Sequence, residues 1–142
     1  MRNLEELGFV VGPEVTPLTV SLNGCEVALP RDYSAFLGCE PPRDFEFGYR
    51  LIDAQTNEEW EGQVVEFMKY KQEDIGRAVV ALPSEPARKL LPIAVDAGGN
   101  YLNLDLTFSP MRVLDLNYQS GVLSVVAESF GEFINKLYLI EN

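Results

Sequence analysis

Residues 91–106, Leu-Pro-Ile-Ala-Val-Asp-Ala-Gly-Gly-Asn-Tyr-Leu-Asn-Leu-Asp-Leu, constrain the fold more than any other part of this sequence. Residues 93–96 and 101–106 are strand-like. The Ala97, Gly98, Gly99 and Asn100 between them supply the positive φ angles that a hairpin connection needs. Along the second arm Tyr101, Asn103 and Asp105 alternate with Leu102, Leu104 and Leu106, so a strand here presents three leucines to a core and its other face to water. The stretch reads as the central hairpin of a sheet.

Other segments take their places around it. Asn23-Gly24, flanked by alternating apolar residues over 18–29, is a strong two-residue hairpin signal, and such a turn sets Val20 opposite Val27 and Leu22 opposite Cys25. Residues 30–38 begin with Pro30 and end at Gly38, which predicts a short helix with Tyr33, Phe36 and Leu37 on one buried stripe. Residues 45–52 alternate as a half-buried strand. Residues 53–57 form a turn, and residues 63–70 a further strand with Val65 and Phe67 on one face and Val64 on the other. Ile75, Ala78, Val79 and Leu82 fall at helical spacing, so a helix is expected from Gln72 to Pro83. Residues 84–90 are then expected as a surface loop, 112–118 and 122–127 as strands, and 130–137 as a helix opened by the Ser129/Glu132 capping pattern.

The 142 residues suit one domain over 1–142, with an apolar share of 46% that suffices for a core. Cys25 and Cys39 form no CxxC pair and the chain has no histidine, so neither a zinc site nor a catalytic triad or thiol–imidazole pair is expected, and both thiols are expected reduced and partly buried. Acidic residues near the start replace the apolar run of a secretory signal. No stretch approaches the roughly 18 apolar residues of a membrane span, so the expected location is the cytoplasm, with no membrane partner.

The net charge of −11 disfavours a nucleic-acid partner, since each phosphate contact needs a cation. That charge is concentrated. Residues 40–74 hold ten acidic against four basic side chains, a local net of −6. Within them Glu58, Glu59, Trp60 and Glu61 set the only tryptophan among carboxylates, the composition of an interface hot spot for a basic partner. The candidate partner-binding residues are Asp44, Glu46, Asp53, Glu58, Glu59, Trp60 and Glu61. The alternative is that Trp60 fills the core and the glutamates form a solvated face.

Two chemical readings are weaker. Asp96, Gly98, Gly99, Asn100 and Asp105 have the composition of a metal or phosphate loop, but a phosphate loop precedes a helix and here a strand follows, which favours a plain turn. Glu128 with Glu132, or Glu58, Glu59 and Glu61, offer carboxylate pairs of the glycosidase kind, which arise by chance in so acidic a chain. No catalytic residue, cofactor or metal is therefore expected.

Three pieces in order carry a resemblance: Leu29-Pro30-Arg31-Asp32-Tyr33-Ser34-Ala35-Phe36-Leu37, then residues 91–100, then Glu128-Ser129-Phe130-Gly131-Glu132-Phe133-Ile134. Together, over residues 29–137, they resemble the SUKH superfamily of bacterial toxin-immunity proteins and fungal regulators of cell-wall synthesis. The chain departs from the family pattern in carrying a hairpin where an amphipathic helix usually leads into the first motif. The resemblance implies an α+β domain, a mainly antiparallel twisted sheet flanked by helices. It also implies binding rather than chemistry: an immunity protein that neutralises a cognate toxin, or alternatively a scaffold docking to enzymes of wall or envelope synthesis. The toxin is expected to be basic, of a kind such as a nuclease, and the chain a monomer or weak homodimer.

Overall fold

The structure, a computed structural model, describes residues 4–13, 17–43 and 45–140. Asn23 and Gly24 adopt φ of 51° and 82°, turning β1 (Thr19–Leu22) into β2 (Cys25–Ala28). The pairing is the expected one, Val20 with Val27 and Leu22 with Cys25. This two-stranded piece is tied to the helix α2 (Gln72–Ala78) by Gln72, whose side-chain amide accepts from the Thr19 N–H at 3.0 Å and donates to the Thr19 carbonyl at 2.7 Å. The amide thus extends the strand's hydrogen bonding.

The main sheet has eight strands, all paired antiparallel. They are β3 (Phe47–Ile52), β4 (Glu59–Phe67), β5 (Val80–Leu82), β6 (Glu85–Asp96), β7 (Tyr101–Asp105), β8 (Val113–Leu116), β9 (Leu123–Ala127) and β10 (Tyr138–Leu139). Their order is β10-β3-β4-β6-β7-β8-β9, with β5 beside the first half of β6. Residues 91–106 indeed supply its central hairpin, β6 against β7. Although β3 and β9 lie near opposite ends of this order, they touch, and the Ala54 N–H donates to the Ser124 hydroxyl at 3.0 Å. The sheet therefore curls around its inner face, as accumulated strand twist allows.

Two helices fill the inside of the curl, α1 (Arg31–Leu37) and α3 (Phe130–Lys136). Tyr33 and Phe36 of α1 meet the Phe130 ring of α3 at centroid distances of 5.0 and 5.1 Å. Against them pack Phe47, Tyr49, Val64, Phe67, Leu102, Leu104 and Val113 of the sheet, all buried. The Ser129 hydroxyl accepts from the Glu132 N–H at 3.1 Å, capping α3 as its sequence predicts.

Several expectations are corrected. Residues 80–82 are not the end of a helix but β5, and residues 85–90 are not a loop but the first half of β6. Val79 leaves the helix in an extended conformation, and Val80 pairs with Leu90, which satisfies an edge of β6 that would otherwise be bare. In β4 a bulge between Val64 and Glu66 resets the alternation, so Val64 and Phe67 are both buried while Val65 is exposed. The outer face of β7 is not wet. Asn103 and Asp105 are buried there between β6 and β8, beside a second apolar cluster of Leu82, Leu90 and Leu114. Cys39 is buried and free as expected, but Cys25 is exposed. Among the described residues, no helix is long and apolar enough to cross a membrane.

Candidate functional site

Three hairpins turn at the same end of the sheet, and each turn begins with an Asp or Asn whose side chain holds the backbone. Asp53 Oδ1 accepts from the amides of Gln55 and Thr56 at 2.8 and 2.9 Å. Asp96 Oδ1 accepts from those of Gly98 and Asn100 at 2.9 and 2.8 Å. Asn117 Oδ1 accepts from those of Gln119 and Ser120 at 2.9 and 3.1 Å. Such side chains imitate a backbone turn, so each loop is set locally by its first residue. Asn100 Oδ1 also accepts from the Tyr118 N–H at 3.1 Å, joining two of the loops.

Because the sheet is curled, these turns rim an opening. Between them lies a cleft of about 320 Å³ lined by Tyr49, Trp60, Asp53, Asp96, Asn100, Asp115, Asn117 and Ser124, among others. Its floor is where the core ends. Asp115 pairs with Leu102 on one side and Ser124 on the other, in the phase of β8 that faces the interior. Its carboxyl meets that of Asp96 and faces the Tyr49 hydroxyl.

Burial first, and then the neighbouring Asp96, push the Asp115 carboxyl up to about 7. Burial likewise raises the Tyr49 phenol, with Asp115 and Asp96 adding to it. Asp53 is held below the usual carboxylate range by the turn amides of Thr56 and Gln55. The cleft thus sets a carboxyl raised by burial, Asp115, near one lowered by its turn amides, Asp53, and among the described residues no lysine or arginine lines it. No three acidic or cysteine side chains among the described residues converge closely enough to hold a metal ion.

The model of the SMI1/KNR4 family (SUKH-1) matches residues 24–136. This chain belongs to that family. SUKH proteins include toxin-immunity proteins and regulators of the SMI1/KNR4 kind, are generally non-enzymatic, and typically bind protein partners. No curated protein and no solved structure gives a significant match.

On this SUKH scaffold the residues expected to bind a partner divide into groups. Asp53, Trp60 and Glu61 come together at the cleft. Trp60 sits opposite Leu51 on the inner side of the β3–β4 pair yet is 53% exposed, so it does not fill the core. Glu58 and Glu59 are exposed just outside, Glu59 lying 3.8 Å from Arg50. Glu46 precedes the opposite end of β3, roughly 20 Å away along the strand, where its carbonyl accepts from the Ile140 N–H. Asp44 lies outside the described residues.

The carboxylates suggested for glycoside chemistry, Glu58, Glu59, Glu61, Glu128 and Glu132, are all exposed. Glu128 is at the surface, 2.9 Å from Arg112. The residues of the suggested ligand loop also separate: Asp96 and Asn100 build a turn, while Asp105 is held by Arg88 at 2.8 Å. The carboxyl pair that does exist, Asp96 with Asp115, went unforeseen. Asp115 lies between Leu114 and Leu116 in a strand whose both phases are apolar, so no alternation marks it as inward.

Proposed function

We propose that this SUKH chain is a non-enzymatic immunity protein that binds and neutralises a cognate toxin, and that the toxin docks at the cleft and the β3–β4 hairpin beside it. The observation that carries this reading is Trp60. The only tryptophan stands half exposed at the rim of a preformed, acidic opening, flanked by Glu59 and Glu61. Aromatic anchors next to a cavity are where interface energy concentrates. The surrounding carboxylates speed association with a basic surface such as that of a nuclease, while buried contacts slow release. In this reading the chain works as one cytoplasmic domain, a monomer or weak homodimer, without cofactor, metal, nucleic acid or membrane.

The experiment is co-expression with a toxin encoded beside it, scoring survival, followed by association kinetics. Rescue by the native chain is expected. Reversing Glu58, Glu59 and Glu61 to lysine should slow association, as should salt well above physiological strength. Survival unchanged by the chain, with binding instead to an enzyme of envelope synthesis, would establish the regulatory scaffold in its place.

A further inference from the structure

The cleft has a chemistry that acidity alone does not explain. Asp96 and Asp115 present adjoining carboxyls inside it, more weakly influenced by Asp53, and among the described residues no lysine or arginine lines the cleft to answer them. At the floor the Tyr49 hydroxyl is buried, faces Asp115, and makes no hydrogen bond of ordinary geometry. Buried polar groups are as a rule bonded, so an unsatisfied phenol at the base of an opening marks a place for a ligand. Trp60 adds an aromatic wall. The volume, about 320 Å³, is at the small end of ligand cavities, suited to one side chain rather than a folded segment.

We infer that the cleft receives a single arginine side chain of the partner, its guanidinium held by Asp96 and Asp115 and its plane set against Trp60. This rests on the binding role proposed above and specifies its anchor. A guanidinium fits better than an ammonium. Two adjoining carboxyls match its planar fork of donors, and its weak hydration lets it leave water for a half-buried site and stack on an indole. A phosphate or carboxylate ligand would meet carboxyls and, among the described residues, no lysine or arginine in the lining. The rim residues are fixed by their own turns, so little ordering remains to oppose binding.

The test uses the full chain and N-acetyl-arginine methylamide, with the uncharged citrulline analogue and the lysine analogue as comparisons. Trp60, the only indole, reports binding by its fluorescence. Saturable millimolar binding of the arginine probe is expected, with citrulline weaker by about tenfold or more and lysine in between. Asp115→Asn should lose about tenfold for arginine and nothing for citrulline, whereas Glu128→Gln, remote from the cleft, should bind as the native chain does. Equal response to arginine and citrulline, or no saturable response to arginine, overturns the inference. Rescue from a toxin without arginine binding removes this anchor and leaves the immunity role. Arginine binding without any rescue does the reverse.

Discussion

The ring of Tyr49 lies against the backbone of Gly62 across the β3–β4 pair, so close that a Cβ at position 62 would stand 2.3 Å from the ring's Cζ. The glycine is therefore not there for a turn; it makes room for the residue at the floor of the cleft. Gly62→Ala should destabilise the chain by about 1–3 kcal/mol, the usual cost of overpacking, read from urea unfolding. Tyr49→Phe keeps the ring, so adding it should not rescue the alanine variant. A neutral Gly62→Ala would mean that the ring moves aside freely.

Asp115 makes stability depend on pH in an unusual direction. Its carboxyl rises from an ordinary 3.8 to about 7 on folding, so between those values the native state holds a proton that the unfolded chain has lost. The contribution is fully present below about 4 and is lost as pH rises through about 7. Asp115→Asn should abolish that loss and gain on the order of 1–2 kcal/mol at pH 8, less than the full shift implies because the group is only partly buried. Thermal unfolding of both proteins across this range checks it. Parallel curves at all pH values would remove Asp115 as the cause.

On the outer face, Asp105 is buried with a side chain 2% exposed, and Arg88 is its counter-charge through Nε at 3.1 Å and Nη2 at 2.8 Å. Arg88→Met should cost about 3 kcal/mol, because a carboxylate is left buried without a partner. Adding Asp105→Leu should recover most of that loss, since a neutral pair beside Leu90 and Leu114 needs no compensation. A double variant as unstable as the single one would show that the pair itself, not the orphaned charge, matters.

What could be read beforehand follows the range of the interactions. The β1–β2 turn, the β6–β7 hairpin and the α3 cap are set by residues a few positions apart, and all three formed as expected. Trp60 and its carboxylates were visible as composition, though not whether the indole would be inside or out. The cleft depends on distant pairings: Asp96 meets Asp115 only through the registers of β6, β7 and β8, and the Ala54–Ser124 bond joins residues 70 apart. The bulge in β4 and the strand made by residues 80–82 also answer to neighbours in space. Period alone could not anticipate them.

Trp60 allows folding and binding to be separated. The residue is 53% exposed, whereas Phe36 and Phe133, each 0% exposed, hold the core together. Trp60→Ala should therefore change stability by less than about 1 kcal/mol, while Phe133→Ala should cost about 3–5 kcal/mol. In the complex the order should reverse for affinity. Loss of an aromatic anchor typically weakens an interface by about 2 kcal/mol or more, so Trp60→Ala should fall at least about thirtyfold in affinity for the toxin with an unchanged melting temperature. A Trp60→Ala chain that melts early would make the indole a structural residue and leave the rim without its anchor.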